Sequence, residues 1–250
     1  MRALTIAAMC LALAACGSAS GSSGTPALTV SAATSLKNAF TSYGDQFSAA
    51  RARFSFAGSD ELAAQIQQGV KPDVFASANT KLPDELFAKG LVQKPTVFAA
   101  NRLVLAVPSS GANVSSPADL AKPGVTIAMG SASVPVGSYT RKVLGGLPAG
   151  ERVKILGNVR SNEPDVGGVL GKVTQGAVDA GFVYITDVKA AGGKVKAIEL
   201  PTSLQPRVAY AVAVVKGAKH PQQAKAFIAG LLNGAGASDL QKAGFEPPPS

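Results

Sequence analysis

The chain has 250 residues, with 24 Lys and Arg against 15 Asp and Glu, a formal net charge of +9. One histidine and two cysteines exclude a disulfide framework, a cysteine metal cluster and a paired-histidine metal site. The basic residues are scattered and aromatics make up 6% of the chain, which excludes a nucleic-acid stripe and leaves a balance that favours an anionic ligand.

Residues 1–16 read as a targeting segment. Arg2 is its charge, and the apolar run Ala3 to Ala15 is too short for an ordinary membrane span. It ends Leu13-Ala14-Ala15-Cys16-Gly17, which resembles the bacterial lipobox. That resemblance implies that Cys16 becomes the first residue of the mature chain and carries a lipid, while Cys10 is discarded. Residues 17–27 are a Gly/Ser-rich tether whose reach is roughly 15–20 Å. Residues 28–245 are long enough for a substantial core. The Pro247-Pro248-Pro249 run makes 246–250 an expected disordered tail.

Within 28–245 short β-branched runs alternate with longer amphipathic ones. Expected strands are Leu28–Ala32, Arg53–Phe56, Val74–Ala76, Leu103–Val107, Val125–Met129, Val153–Leu156, Ala180–Tyr184, Ala197–Leu200 and Val208–Val215. Expected helices are Ser35–Ala49, Ser59–Gln68, Leu82–Ala88, Pro117–Leu120, Gly137–Leu144, Asp165–Gln175, Ile185–Ala190 and Pro221–Leu232. Gly69, Gly90 and Gly244 stand where helices should stop. The order predicts an α/β fold with mainly parallel sheets, and in such sheets ligands sit at the carboxyl ends of strands. No internal repeat is visible in the sequence.

Two turns carry the chemistry. Ser35 follows the run Leu28–Ala32, and Ser59 follows Phe56-Ala57-Gly58; each opens an amphipathic segment. A hydroxyl beside the unpaired N–H groups of a helix start is a ready oxyanion site, although a serine there also serves as a plain cap.

These turns belong to a longer series. Ala32-Ala33-Thr34-Ser35-Leu36, Phe56-Ala57-Gly58-Ser59, Pro72-Asp73-Val74-Phe75-Ala76-Ser77, Asn101-Arg102-Leu103-Val104, Val134-Pro135-Val136-Gly137-Ser138-Tyr139, Gly181-Phe182-Val183-Tyr184 and Gly244-Phe245 occur in this order. The series resembles the molybdate-binding proteins of ABC importers over nearly all of 28–245. The resemblance implies a two-lobed periplasmic-type binding fold, α/β, with each lobe a mainly parallel sheet flanked by helices. Lobe 1 would comprise 28–105 and 208–245 and lobe 2 106–207, with hinges near Ala106–Ser109 and Arg207–Ala211.

It further implies a tetrahedral oxyanion, molybdate or tungstate, held by neutral groups. Ser35 and Ser59 would donate from lobe 1. Val136 and Val166 would donate backbone N–H from helix starts in lobe 2, and Tyr184 would donate its phenol. No cofactor and no protein–metal ligand is implied. The implied partners are an importer permease with its ATPase and the membrane reached through Cys16. The implied state is an extracytoplasmic, lipid-anchored monomer. Asp60, where the family often has a small polar residue, would repel an anion and is expected to face solvent as a helix-start charge. Gly167 stands where an arginine is common.

Other readings stay open. Sulfate, thiosulfate and phosphate carriers share the class, and phosphate would be matched by a carboxylate acceptor such as Asp60. An exported α/β enzyme could use Asp165, Asp179 and Asp187 as a carboxylate site, or these could serve helix starts and a turn. His220 precedes Pro221 at a helix start and reads as a surface residue. Gly167-Gly168-Val169-Leu170-Gly171-Lys172-Val173 is one residue short of a P-loop and lacks its hydroxyl residue.

Overall fold

The computed structural model describes residues 25–249; the targeting segment, Cys16 and most of the tether lie outside the described residues. Two five-stranded sheets organise the chain. The first holds β1 (Ala27–Ala33), β2 (Arg51–Ala57), β3 (Val74–Ser77), β4 (Thr96–Asn101) and β10 (Val208–Val214). The second holds β5 (Leu103–Pro108), β6 (Ile127–Gly130), β7 (Val159–Glu163), β8 (Ala180–Tyr184) and β9 (Val195–Glu199). Their strand orders are β2-β1-β3-β10-β4 and β7-β6-β8-β5-β9.

The two orders are one plan used twice. In each sheet three parallel strands come first, then a strand that arrives from the other half of the chain and pairs antiparallel on both sides. Four of the five strands in each sheet thus run one way, the mainly parallel arrangement expected, and a single strand opposes them. The cause is the exchange of β5 and β10, which enter against the direction set by the βαβ units. The exchange also moves one crossing point. β4 ends at Asn101 in the first sheet and β5 starts at Leu103 in the second, so the chain passes over at Arg102 and not at Ala106–Ser109.

A polar clamp marks the repeat. Thr29 donates its N–H and hydroxyl to Asp73 Oδ2, both at 2.8 Å, and accepts from the Asp73 N–H at 3.0 Å. Thr126 donates to Asp179 Oδ2 in the same way, at 2.8 and 2.7 Å, and accepts from the Asp179 N–H at 3.0 Å. Each clamp ties the start of one inner strand to the start of its neighbour. Partial desolvation opposes ionisation of both carboxyls, but these hydrogen bonds prevail and hold both below the usual carboxylate range.

Helices cover the sheets: α1 (Lys37–Gln46), α2 (Ser59–Gln67), α3 (Lys81–Ala88), α8 (Pro221–Asn233) and α9 (Ala235–Ala243) on the first, and α4 (Pro135–Gly145), α5 (Ala149–Gly157), α6 (Val166–Thr174) and α7 (Ile185–Ala190) on the second. Gly69, Gly90 and Gly244 have φ of 102°, 72° and 98°, the left-handed conformation that ends a helix cheaply only at glycine. The first core is aromatic. Phe227 on α8 meets Phe40 edge-on at 5.6 Å and Tyr43 at 4.6 Å. The second is mostly aliphatic, built on buried Val104, Leu105, Ile127, Val143 and Val169.

Three local expectations fail for physical reasons. Val153–Leu156 is not a strand but the middle of α5, with Val153 67% and Leu156 44% exposed; a β-branched run on an exposed helix imitates a strand. The true neighbouring strand, Val159–Glu163, is a polar sheet edge, Val-Arg-Ser-Asn-Glu, with no apolar signature. Pro117–Leu120 forms a 3₁₀ turn, Pro117–Ala121. The first residue of the expected disordered tail, Glu246, exchanges two backbone hydrogen bonds of 2.9 Å with Ala100.

Candidate functional site

Four segment starts and one strand end meet in a small cavity between the sheets. β1 runs into the 3₁₀ turn Thr34–Leu36, which places Ser35 at the cavity wall. β2 ends at Ala57, and Gly58 turns the chain so that α2 begins at Ser59. After β6, Val134 and Pro135 start α4, with Val136 in its first turn. After β7, Asp165 caps α6, which begins at Val166. β8 delivers Tyr184 at its last position. Ser35, Ser59, Val136, Val166 and Tyr184 all line this one cavity. First-turn N–H groups have no carbonyl acceptor within their own helix, so these starts present donors.

Neighbouring groups orient the hydroxyls. Ser35 Oγ shares a hydrogen bond of 2.9 Å with Tyr210 Oη, which Asn101 Nδ2 approaches at 3.4 Å. Ser59 is buried, and its Oγ accepts from the Ala78 N–H at 3.1 Å; with that lone pair used, its proton is free to point elsewhere. Tyr184 is buried, its ring lies edge-on to Tyr210 at 5.9 Å, and its hydroxyl has no hydrogen-bond partner among the described residues. Burial foremost, then the nearby Tyr210, Tyr139 and Asp187, pushes its pKa well above the ordinary tyrosine value. It is a neutral phenol, a donor with no acceptor in hydrogen-bond geometry among the described residues.

Among the described residues no lysine or arginine lines the cavity, and Asp165 is the single carboxylate that does. Both Asp165 oxygens are engaged: Oδ1 accepts from the Gly168 N–H at 2.9 Å and Oδ2 from the Thr34 hydroxyl at 3.1 Å. The other two carboxylates of the enzyme reading are likewise engaged. Asp179 belongs to the clamp with Thr126, and Asp187 accepts from the Tyr184 N–H at 2.9 Å at the start of α7. Among the described residues no group of three or more His, Cys, Asp or Glu is placed to hold a metal ion.

Asp60 departs from expectation. Its Oδ1 is buried with no hydrogen-bond partner among the described residues, so it does not simply face solvent. The first turn of α2 lies close to the opposite half here. A Cβ built on Gly58 would sit 2.8 Å from Asp60 Oδ1 and 2.5 Å from the Pro164 carbonyl. Asp60 is not among the residues lining the cavity. Sequence reasoning passed over Thr34, Tyr210 and Asn101, whose roles arise from contacts more than 80 residues away in sequence. Only Asp165 had a local signal, its place immediately before a helix that opens with a donor.

The family model described as bacterial extracellular solute-binding protein matches residues 28–246. The chain belongs to this family. This solute-binding protein is 38% identical over 257 aligned residues to the molybdate-binding protein ModA of Mycobacterium tuberculosis, covering 97% of this chain and 96% of that one. It is 31% identical to the molybdate-binding protein ModA of Escherichia coli, covering 76% and 77% of the two chains. Among solved structures, the periplasmic molybdate-binding protein of Azotobacter vinelandii superposes with a TM-score of 0.80 at 22% identity, covering 89% of this chain and 100% of that one. The two-sheet α/β architecture is thus that of periplasmic binding proteins. The family's role is extracytoplasmic solute binding.

Proposed function

We propose that this solute-binding protein holds molybdate or tungstate in the cavity between its two sheets and delivers it to an ABC-type importer. The observation that carries the reading is the Tyr184 hydroxyl, buried and neutral at the cavity wall, where among the described residues it has no hydrogen-bond partner and no cationic side chain lines the cavity. A buried donor without an acceptor is costly, and an anion oxygen removes the cost. Ser35 and Ser59 donate hydroxyls, Val136 and Val166 donate backbone N–H groups, and Tyr184 donates its phenol. Fixed dipoles at helix starts stabilise a dianion without burying a countercharge. The 38% identity to a molybdate-binding protein over nearly the whole chain supports molybdate over the other oxyanions.

The donors come from both halves, so the reading includes a division into lobes and closure around the ligand. With the first crossing at Arg102, we take lobe 1 as 28–102 with 208–245 and lobe 2 as 103–207. The importer's permease and ATPase are the partners. The lipobox-like Leu13-Ala14-Ala15-Cys16 supports anchoring through Cys16; a Cys16→Ser variant is expected to lose lipid labelling and leave the membrane fraction.

Calorimetry with molybdate, tungstate, sulfate and phosphate tests the ligand. Molybdate and tungstate are expected to bind far more tightly than sulfate. Equal or tighter sulfate or phosphate binding overturns the reading.

A further inference from the structure

The cavity is bordered by contacts between the halves that consume none of the five donors. Thr34, in the turn after β1, donates its hydroxyl across the gap to Asp165 Oδ2 at 3.1 Å. The other oxygen of the same carboxylate holds the Gly168 N–H at 2.9 Å and so caps α6, the helix whose first residue is Val166. Around this bond the halves fit without slack. A Cβ on Gly58 would meet the Pro164 carbonyl at 2.5 Å, and a Cβ on Gly167 would meet Thr34 Cγ2 at 2.9 Å.

A carboxylate at the wall of an anion cavity opposes the anion unless its charge is spent elsewhere. Here both oxygens face donors. We infer that Thr34 and Asp165 form a closure latch: the hydroxyl joins the halves only when they meet, and the carboxylate fixes the start of α6 at the same moment. Thr34 and Asp165 are positioning residues, acting through the placement of Val166 and the lifetime of the closed form. Charge-assisted hydrogen bonds are among the stronger ones, so the latch slows ligand escape without touching the ligand. The inference rests on the proposed closure of the two lobes, and on the molybdate reading only for its probe.

The test uses the full-length protein, with molybdate dissociation followed by tyrosine emission. Thr34→Val is expected to release molybdate about tenfold faster, and Thr34→Ser, which restores the hydroxyl, to recover most of the loss. Asp165→Ser keeps a capping oxygen for α6 but is too short to reach Thr34, so it should release faster than the wild type, though less so than Thr34→Val, which leaves a carboxylate facing the anion. The double variant should be no faster than either single change, since both break one bond. Melting of the ligand-free protein should be unchanged in the two Thr34 variants. Unchanged release from Thr34→Val, additive effects in the double variant, or a melting loss that parallels the affinity loss overturns the latch. If the wild type binds sulfate or phosphate and not molybdate, the molybdate reading fails, and release of that anion from the same variants still decides the latch.

Discussion

In the first half the cavity receives hydroxyls, Ser35 and Ser59, from turns braced by Tyr210 and by the Ala78 N–H. In the second half it receives one phenol, Tyr184, and beside it Val136 and Val166, whose side chains cannot donate, so their helix starts themselves must act. The cores differ in the same sense. Nine of the ten phenylalanines lie in the first half and only Phe182 in the second. Yet both halves follow one strand order and carry the same Thr–Asp clamp. A common backbone plan therefore fixes where donors arrive, while the side chains at those places are free to differ. An anion site built this way is specified by residue chemistry in the first half and, Tyr184 apart, by backbone geometry in the second.

The largest expected effect separates the cores. Phe227 is buried against Phe40, Tyr43, Phe47 and Phe54, and Phe227→Ala should cost about 3–5 kcal/mol. Chemical denaturation measures it. A loss no greater than that of Val169→Ala in the second half would erase the distinction between the cores.

Next comes a pH effect confined to the second half. At the start of α7 the acceptor is Asp187, whereas before α3 the corresponding role falls to neutral Asn79, accepting from the Leu82 N–H at 3.1 Å. Burial raises the Asp187 pKa to about 7 from an ordinary 3.8, the hydrogen bond from Tyr184 opposes the rise, and nearby Asp165 adds to it. A carboxyl with a raised folded pKa contributes stability that is complete below about pH 4 and is lost as pH rises through 7. Asp73 and Asp179 act oppositely, and their contribution is lost on strong acidification. Thermal melts across pH 4 to 7 should show a decline that Asp187→Asn flattens. A variant with the wild-type slope would show that Asp187 is not its source.

Much of this plan was legible in the sequence. Alternating apolar runs and helix-stop glycines marked most elements, and the serines were visible as helix openers. The duplication was not, because it resides in strand order and in the clamps Thr29–Asp73 and Thr126–Asp179, which join residues 44 and 53 positions apart. The polar edge strand Val159–Glu163 gave no apolar signal, and Val153 and Leu156 gave a misleading one. Asp60 was read from charge alone, while its Oδ1 lies buried beside Gly58, where the two halves come close.

Binding variants sharpen the comparison of donors. Hydrogen bonds to charged partners are worth roughly 1.5–3 kcal/mol, so Tyr184→Phe and Ser59→Ala should each weaken molybdate binding about tenfold to a hundredfold with unchanged circular dichroism. Wild-type affinity in both would remove these side chains from the site. Val136→Ala keeps the N–H and should change affinity by less than about threefold, despite some loss of packing. A loss as large as that of Ser59→Ala would mean that the Val136 side chain, and not its backbone, serves the anion.

The central claim is that one anion is held by donors from both halves. Small-angle scattering of the protein with and without saturating molybdate tests it most directly. A dianion with half its donors is badly underpaired, so the ligand should favour the closed form and the radius of gyration should fall on binding. An unchanged radius, with binding confirmed by calorimetry in the same sample, would contradict closure of two halves around the ligand.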